Sequence, residues 1–233
     1  GGNLYFSSAG DPASALEMWW GDIALRVRIH NSMAYVFSYY YTYVFDVSNP
    51  VSPSFLNYAP GFYYAYNDAI PTPDDNYLIY TDLMTGDACV WSLADWKLIW
   101  TFSSPIGGFY IPMCIPEDSV SQGNTLILGD WGQSYYDFWD ISDLECSPPT
   151  FIGQILNATP SNPSGSYDTG NIMYRYPYLY GNYEPWQHYN PWVGTYFGGP
   201  DPDETCWISV HHIPDVSVPS NNYLIREFTD VYD

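Results

Sequence analysis

Three acidic side chains follow two glycines in the segment "GGPDPDE", residues 198–204. Calcium accepts several oxygen ligands at flexible geometry, and Asp201, Asp203 and Glu204 offer three neighbouring carboxylates. The segment lacks the twelve-residue EF-hand pattern, and an acidic chain also produces such clusters without binding metal. The spacing therefore predicts a calcium site at these three residues, with a solvated acidic loop as the alternative.

An aromatic segment, "YEPWQHYNPWVGTYFGGPDPDE" at 183–204, contains this acidic cluster. It lengthens the fourth of the repeats described below, and insertions on a rigid scaffold often carry function. Tyr and Trp side chains anchor subunit contacts and stack on sugar rings. Three interpretations are open: a cover over its own domain, a contact with another subunit, and a contact with a glycan. The predicted contact residues are Trp186, His188, Tyr189, Trp192, Tyr196 and Phe197.

The histidines do not form a convincing metal or catalytic pattern. His211 and His212 are adjacent, and adjacent side chains on a strand point to opposite faces, so they cannot chelate one ion without a bulge. The Gly-x-Ser-x-Gly, His-Glu-x-x-His and phosphate-loop motifs are absent. We therefore predict no catalytic residues and favour a protein that is not an enzyme. The sequence does not decide whether two carboxylates are paired for glycoside hydrolysis, because the distance between them depends on the fold.

Charge and composition indicate the kind of partner and the compartment. The chain has 26 Asp and Glu against 5 Lys and Arg, a net charge of −21. Nucleic acids and anionic membrane surfaces are disfavoured as partners, since both require basic residues. No run approaches the roughly 20 apolar residues of a membrane helix. The 25 Tyr, 10 Trp and 20 Pro are typical of an extracellular or cell-surface protein. We expect a processed or partial product, because the sequence starts with Gly1 and shows no signal segment.

Two features bear on covalent modification. The four cysteines are widely spaced and form no Cys-x-x-Cys pair, so disulfides in an oxidising compartment and buried thiols both fit. Asn157-Ala158-Thr159 matches the N-glycosylation acceptor, although Pro160 behind it lowers the chance of use. We predict a glycosylation site at Asn157 and disulfides among Cys89, Cys114, Cys146 and Cys206.

The elements that position these residues repeat along the chain. Four short apolar strands end in a polar corner: "YVFDVSN" (43–49), "CVWSLAD" (89–95), "DFWDISD" (137–143) and "CWISVHH" (206–212). Aligning Phe45, Trp91, Trp139 and Ile208 gives steps of 46, 48 and 69 residues. Each copy has one strand before it and two after it, and four strands in such a period indicate a β-propeller blade.

We therefore predict an all-β chain that forms a β-propeller of four-stranded antiparallel blades. Four or five blades are expected in this chain, either alone or within a larger propeller. The approximate units are 32–75, 76–123, 124–175 and 176–233. Residues 1–31 form an N-terminal segment in which "NLYFSS" (3–8) is expected to close the propeller near "LIREF" (224–228). A helical turn is expected only in "PASALEMWW" (12–20).

The polar corners have a structural explanation. Asp and Asn side chains accept backbone N–H groups two residues further on, and Pro fixes φ as the chain turns. We therefore predict that the corner residues brace turns and do not catalyse a reaction. These residues are Asp46, Asn49, Pro50, Asp140 and Asp143.

The first corner, "YVFDVSNPVSP" (43–53), resembles the LVIVD-type repeat of bacterial and archaeal surface propellers. "FWDISDLECSPP" (138–149) keeps the Asp-Ile-Ser-Asp core, whereas Ser92 and Ser209 replace the first Asp in the other copies. That family is not defined by a catalytic motif. The resemblance therefore implies a scaffold at the cell surface and supplies no active-site residues.

The sequence thus predicts a structural or interaction module outside the cell. We expect a subunit of a protein assembly that makes contacts, including self-association, through aromatic rim loops. The alternative function is a secreted propeller that binds or cleaves glycans.

Overall fold

The computed structural model of the chain describes residues 2–6, 16–20, 24–38, 41–60, 69–82, 85–107, 109–116, 124–131, 135–156, 169–183, 188–190, 195–197, 207–220 and 222–228. Within these ranges the regular structure is entirely β, with no helix and hence no membrane-spanning helix. Many Val, Ile, Tyr, Phe and Trp residues favour strands over helices. The predicted all-β class is confirmed.

Four antiparallel sheets of four strands are arranged as the blades of a four-blade β-propeller. Blade 1 contains β3 (Ala24–His30), β4 (Met33–Ser38), β5 (Tyr41–Asp46) and β6 (Ser54–Pro60). Blade 2 contains β7 (Ala69–Pro71), β8 (Tyr77–Thr81), β9 (Ala88–Ser92) and β10 (Lys97–Phe102). Blade 3 contains β11 (Phe109–Cys114), β12 (Thr125–Trp131), β13 (Tyr135–Asp140) and β14 (Thr150–Leu156). Blade 4 contains β15 (Thr169–Arg175), β16 (Tyr178–Tyr183), β19 (Trp207–His212) and β20 (Tyr223–Phe228).

Two hairpins lie outside the blades. β1 (Gly2–Phe6) pairs with β2 (Leu16–Trp20), and β17 (His188–Asn190) pairs with β18 (Thr195–Phe197). The first hairpin corrects two expectations: residues 16–20 form a strand instead of a helical turn, and residues 2–6 pair with them instead of with β20. A partner close in sequence costs less loop-closure entropy than one at the far end of the chain.

The sheets group the strands differently from the sequence units. The strand at 109–115 was expected to complete the second unit, but β11 pairs with β12 in blade 3. Likewise, β3 lies within the segment 1–31 and opens blade 1. Each of the first three sequence units therefore starts at the second strand of a blade and includes the first strand of the next blade, whereas the fourth unit starts at the second strand of blade 4.

One corner recurs in all four blades. The N–H group of the residue after the third strand donates to the carbonyl oxygen of the turn before the second strand. The four bonds are Val47 to Ser32 (2.8 Å), Leu93 to Asn76 (2.9 Å), Ile141 to Asn124 (2.7 Å) and Ile213 to Pro177 (2.7 Å). A β-bulge accompanies the corner in each blade, next to Phe45, Trp91, Trp139 and His211. These features define one structural position in each blade.

The alignment of the fourth copy is wrong by three residues. His211, and not Ile208, lies opposite Leu179 as Phe45 lies opposite Ala34. The Asp-Val-Ser corner of blade 4 comes later, at 215–217, where the Ser217 N–H donates to Asp215 at 2.9 Å. An odd shift moves a side chain to the other face of a strand, so the error exchanged the two faces of β19.

The hydrophobic core lies between successive blades. Tyr35 and Val44 of blade 1 pack with Leu78 of blade 2. Blades 2 and 3 share a cluster that contains Ile79, Val90, Leu126 and Trp139. Blades 3 and 4 share another that contains Ile127, Phe138, Leu179 and Ile213. The middle strands of blades 2 and 3 are consequently buried on both faces.

Candidate functional site

The aromatic insertion contains a hairpin that forms a two-stranded sheet of its own. β16 and β19 pair directly in blade 4, while β17 and β18 between them in sequence form their own two-stranded sheet. The register places His188 opposite Phe197 and Tyr189 opposite Tyr196. Four of the six predicted contact residues thus lie at two cross-strand positions of one hairpin. We refer to β17 and β18 as the aromatic hairpin.

Several predicted site residues lie outside the described part of the chain. They are Trp186, Trp192, Asp201, Asp203, Glu204, Asn157 and Cys206. The calcium and glycosylation sites therefore stay predictions. In the described ranges, no group of three or more His, Cys, Asp or Glu residues is placed to hold a metal ion. No disulfide joins the three described cysteines to one another: Cys89 is buried, Cys114 half-buried and Cys146 exposed. The predicted disulfides therefore stay predictions.

The corner residues close turns through their side chains or backbone. The Ser48 N–H donates to Asp46 at 2.8 Å and the Ser142 N–H to Asp140 at 2.9 Å. The hydrogen bond from Ser48 lowers the pKa of Asp46. In blade 2 the Ser92 hydroxyl replaces the carboxylate and accepts the Asp95 N–H at 3.1 Å.

Three corner residues remain, and two of them, Asn49 and Asp143, accept backbone N–H groups. The Val51 N–H donates to the side-chain oxygen of Asn49 at 3.3 Å, and the Ser52 N–H donates to the backbone carbonyl oxygen of Asn49 at 3.0 Å. Pro50 lies exposed between them. The carbonyl oxygen of Asp143 accepts the Ser147 N–H at 2.9 Å. These contacts assign the corner residues to turn geometry.

A buried acid that the sequence analysis missed joins blades 2 and 3. Asp137 is inaccessible to solvent, and its Oδ2 accepts the Tyr110 hydroxyl at 2.6 Å and the Ser104 hydroxyl at 3.3 Å. The Trp139 indole donates to the Tyr110 hydroxyl at 3.2 Å. Burial raises the pKa of Asp137, and the two hydroxyl donors oppose that shift. The sequence signal for this buried acid is the position of Asp137 within "YYDFWD" (135–140), because an acid between aromatic strand residues needs buried hydrogen-bond donors.

We expect Tyr110→Phe to destabilise the fold by about 2 kcal/mol, because it removes the shortest hydrogen bond to a buried carboxyl group. Urea denaturation at neutral pH measures the change. Tyr223→Phe is the control, since that side chain is 59% exposed. Equal stability of the two variants would show that the Tyr110 hydroxyl does not support Asp137.

A second polar cluster joins blades 1 and 2 at the rim. Asp75 contacts His30 Nδ1 at 2.8 Å and accepts Asn31 Nδ2 at 2.6 Å and the Tyr35 hydroxyl at 3.1 Å. Burial and the nearby Asp75 carboxylate raise the pKa of Tyr35. The cluster connects the β3–β4 turn to the β7–β8 turn, and we interpret it as a bracket between blades.

The junction of blades 3 and 4 contains an unusual buried histidine. His211 is 2% exposed, and neither ring nitrogen has a hydrogen-bond partner. Its ring meets Tyr136 edge-on, with 6.0 Å between centroids. Burial lowers the pKa of His211 to about 4. In this junction Gly181 is essential for close approach, since a Cβ there would overlap the Tyr136 hydroxyl and lie 2.6 Å from Cζ.

The two histidines lie on opposite faces of β19, as expected. His211 is opposite Leu179, and His212 is opposite Tyr178. The His212 ring lies 5.7 Å from Tyr178 and 4.9 Å from Tyr223, centroid to centroid. The pair is therefore placed in two separate environments and does not form one metal site.

Comparison with known proteins shows the fold alone. No protein-family model matches the chain, and no curated protein matches its sequence. Hydrazine synthase from Kuenenia stuttgartiensis is similar in structure, with a TM-score of 0.60, 10% identity and coverage of 88% of this chain and 49% of that one. The β-propeller domain of Cps50 (Swd1) from Myceliophteria thermophila gives a TM-score of 0.60 and 9% identity, covering 93% of this chain and 64% of that one.

The WD40 repeats of RRP9 give a TM-score of 0.53 and 8% identity, covering 89% of this chain and 52% of that one. Another similar chain belongs to the mitotic checkpoint complex. This chain thus spans about half to two-thirds of these similar chains. It has a β-propeller fold with WD40-like structural neighbours, and such folds are typical of protein-interaction modules.

Proposed function

We propose that the protein is an interaction module outside the cell or at its surface, and that it contacts a protein partner in an assembly through the aromatic hairpin. The observation that carries this proposal is the hairpin itself, whose two strands pair with each other and with no other described strand, and which places Tyr189 opposite Tyr196. The Asp-Val-Ser-Asn-Pro corner at 46–50 supports membership of the LVIVD-type surface propellers.

The physical argument starts from the stability of a short hairpin. Two strands of three residues are marginal in water without a surface to pack against. Tyr and Trp are among the side chains that most often anchor protein contacts, because they bury large areas with few rotatable bonds. A partner surface therefore stabilises the hairpin and gains affinity from it.

Glycan binding is the second candidate, supported by the same pair of tyrosines. Aromatic rings present flat apolar faces to sugar rings. A chain with a net charge of −21 repels acidic polysaccharides, so a neutral glycan is the expected ligand in this case.

Site-specific photocrosslinking in the source cells distinguishes the candidates. We expect a photoreactive phenylalanine analogue at Tyr189 to form a discrete protein adduct, whereas the analogue at Tyr58, a 49% exposed residue of blade 1, forms none. Equal adducts at both positions, or none at either, would contradict the protein-contact proposal. Binding of the purified protein to a neutral-glycan array, lost in Tyr189→Ser/Tyr196→Ser, would favour the glycan instead.

A further inference from the structure

Blade 1 carries a row of aromatic side chains on its third and fourth strands. Tyr43 of β5 lies opposite Tyr58 of β6, the edge strand of the sheet, and Phe45 lies opposite Phe55. Tyr41 lies on the same face of β5 as Tyr43, because side chains two residues apart on a strand point the same way. We refer to Tyr41, Tyr43, Phe55 and Tyr58 as the aromatic row.

Contacts between neighbouring rings hold the aromatic row together. The Tyr41 and Tyr58 rings meet edge to face, with 4.8 Å between their centroids. The centroid of the Tyr43 ring lies 6.4 Å from that of Tyr58 and 6.4 Å from that of Phe55, and the ring is tilted against both. Tilted rings cover one another only in part, so flat faces remain available, and the mutual contacts fix the rings before a ligand binds. Such preorganisation lowers the entropic cost of binding.

Most of the aromatic row lies at the surface of the protein. Tyr41, Phe55 and Tyr58 are 40%, 42% and 49% exposed, and Tyr43 is half-buried. Phe45 on the same face has no solvent-accessible surface, so the chain already covers the middle of this sheet face and leaves most of the row open. Contiguous exposed apolar patches are typical of binding sites.

The strands that carry the aromatic row are almost free of charge. β4, β5 and β6 lie between Arg28 and Asp68, and Asp46 is the only Asp, Glu, Lys or Arg residue in that interval. The carboxylate of Asp46 accepts the Ser48 N–H at 2.8 Å in its turn. Charged residues make up 13% of the whole chain, so this segment is a neutral stretch in a protein with a net charge of −21. A neutral ligand therefore matches the row, whereas an ionic partner finds no opposite charge in it.

We infer that the aromatic row binds a neutral glycan chain. Sugar rings have apolar C–H faces that stack on aromatic rings. The hydroxyl groups of Tyr41 and Tyr58 can also donate to, and accept from, sugar hydroxyls. Neighbouring rings of the row lie 4.8 to 6.4 Å apart along two strands. This arrangement provides several stacking positions in succession and favours an extended chain over a single sugar.

A second copy of this chain or another protein is a poorer match. Two copies would each bring a net charge of −21, which opposes their association at a surface strand pair without basic residues. Protein anchors bind best in pockets from which a rim of contacts excludes water. The rings of the aromatic row instead pack against one another and offer their faces.

Affinity electrophoresis of the purified protein tests the inference with a neutral β-glucan, a neutral mannan and a neutral galactan, each cast into a native gel. We expect at least one of them to slow the wild type, and alginate, an acidic polysaccharide, to have no effect. Tyr58→Ala is expected to raise the apparent dissociation constant at least about tenfold, because it removes a ring that contacts two others of the row. Tyr58→Phe keeps the ring and is expected to bind more tightly than Tyr58→Ala.

Tyr223→Ala is the matched control and is expected to migrate as the wild type does, since it removes a similarly exposed tyrosine from the fourth strand of blade 4. Phe55→Ala is a second variant in the aromatic row. The replaced side chains are about half exposed, so the variants are expected to fold, and circular dichroism with urea denaturation verifies this. No retardation by any of the neutral polysaccharides, equal retardation of wild type and both alanine variants of the row, or equal retardation of the two Tyr58 variants would each overturn the inference.

The inference does not depend on the aromatic hairpin. Tyr189→Ser/Tyr196→Ser is expected to keep the retardation, and its loss in this variant would move glycan binding to the hairpin and overturn the inference. A discrete protein adduct at Tyr58 in the crosslinking experiment would also overturn it, because a protein would then cover the row. An absent adduct at Tyr189 would contradict the proposed function and leave the electrophoresis result unchanged.

Discussion

His211→Phe is expected to stabilise the protein by about 2 kcal/mol at pH 7.5, because it removes a buried imidazole whose two nitrogens lack hydrogen-bond partners. The equivalent positions of the other blades hold Phe45, Trp91 and Trp139, so the fold already accommodates an aromatic ring there. Urea denaturation compares the free energies of unfolding of the variant and the wild type.

The same substitution is expected to remove an acid sensitivity. Burial lowers the pKa of His211 from 6.5 to about 4, so the unfolded chain takes up a proton at higher pH than the folded chain. Above pH 6.5 His211 is neutral in both states and does not change the free energy of unfolding with pH. As the pH falls from 6.5 towards 4, the free energy of unfolding decreases, because the unfolded chain takes up the proton first. The difference corresponds to about 3 kcal/mol. No charged neighbour contributes to the shift, which desolvation alone causes.

Denaturation midpoints between pH 7.5 and 4.5 test this linkage. We expect the stability of wild type to fall more steeply than that of His211→Phe across this interval. His212→Phe is the matched control, because it changes the adjacent histidine on the opposite face of β19 and should keep the steep decline. Parallel curves for wild type and His211→Phe would show that His211 does not cause the acid sensitivity.

Gly181→Ala is expected to destabilise the protein by about 3 kcal/mol, because overpacking at a rigid junction forces neighbouring atoms apart. The new Cβ would overlap the hydroxyl of Tyr136. Because the Tyr136 side chain is completely buried, it cannot move away into solvent. Blades 3 and 4 would therefore separate at the contact between β13 and β16.

A double-mutant cycle with Tyr136→Phe measures the proposed clash. Removing the hydroxyl takes away the nearest atom, although Cζ still lies 2.6 Å from the added carbon, so we expect partial rescue. Tyr136→Phe alone serves as the reference for loss of the hydroxyl. Strictly additive free energies of unfolding would mean that Gly181 is needed for a reason other than the approach of Tyr136.

The sequence predicted the blades well because their strands and corners repeat. Asp46 and Asp140 each close a turn after an aromatic strand, and that pattern is local. The fourth copy was misaligned because Ile208-Ser209-Val210 imitates the strand pattern three residues early, before a corner that lies at 215–217. Hydrogen bonds across the sheet settle the register, and one copy of a short apolar strand does not contain that information.

The site was less predictable, for a different physical reason. Tyr189 lies opposite Tyr196 in a hairpin, whereas the sequence of the aromatic segment indicated only a loop. The partners of Asp137 come from residues about 30 positions earlier in the chain, at Ser104 and Tyr110. Contacts between blades depend on how sheets stack, and strand periodicity alone does not specify them.

Apart from the aromatic hairpin in blade 4, each blade uses four strands that follow one another directly in the chain. Every hydrogen-bonded ladder can therefore form as soon as its own stretch of polypeptide is available. During translation, the amino-terminal blade would be complete while the later ones are still being synthesised, and each new sheet would find a finished apolar surface on which to condense. Assembly in this order keeps the strongly aromatic strands from meeting those of other nascent chains.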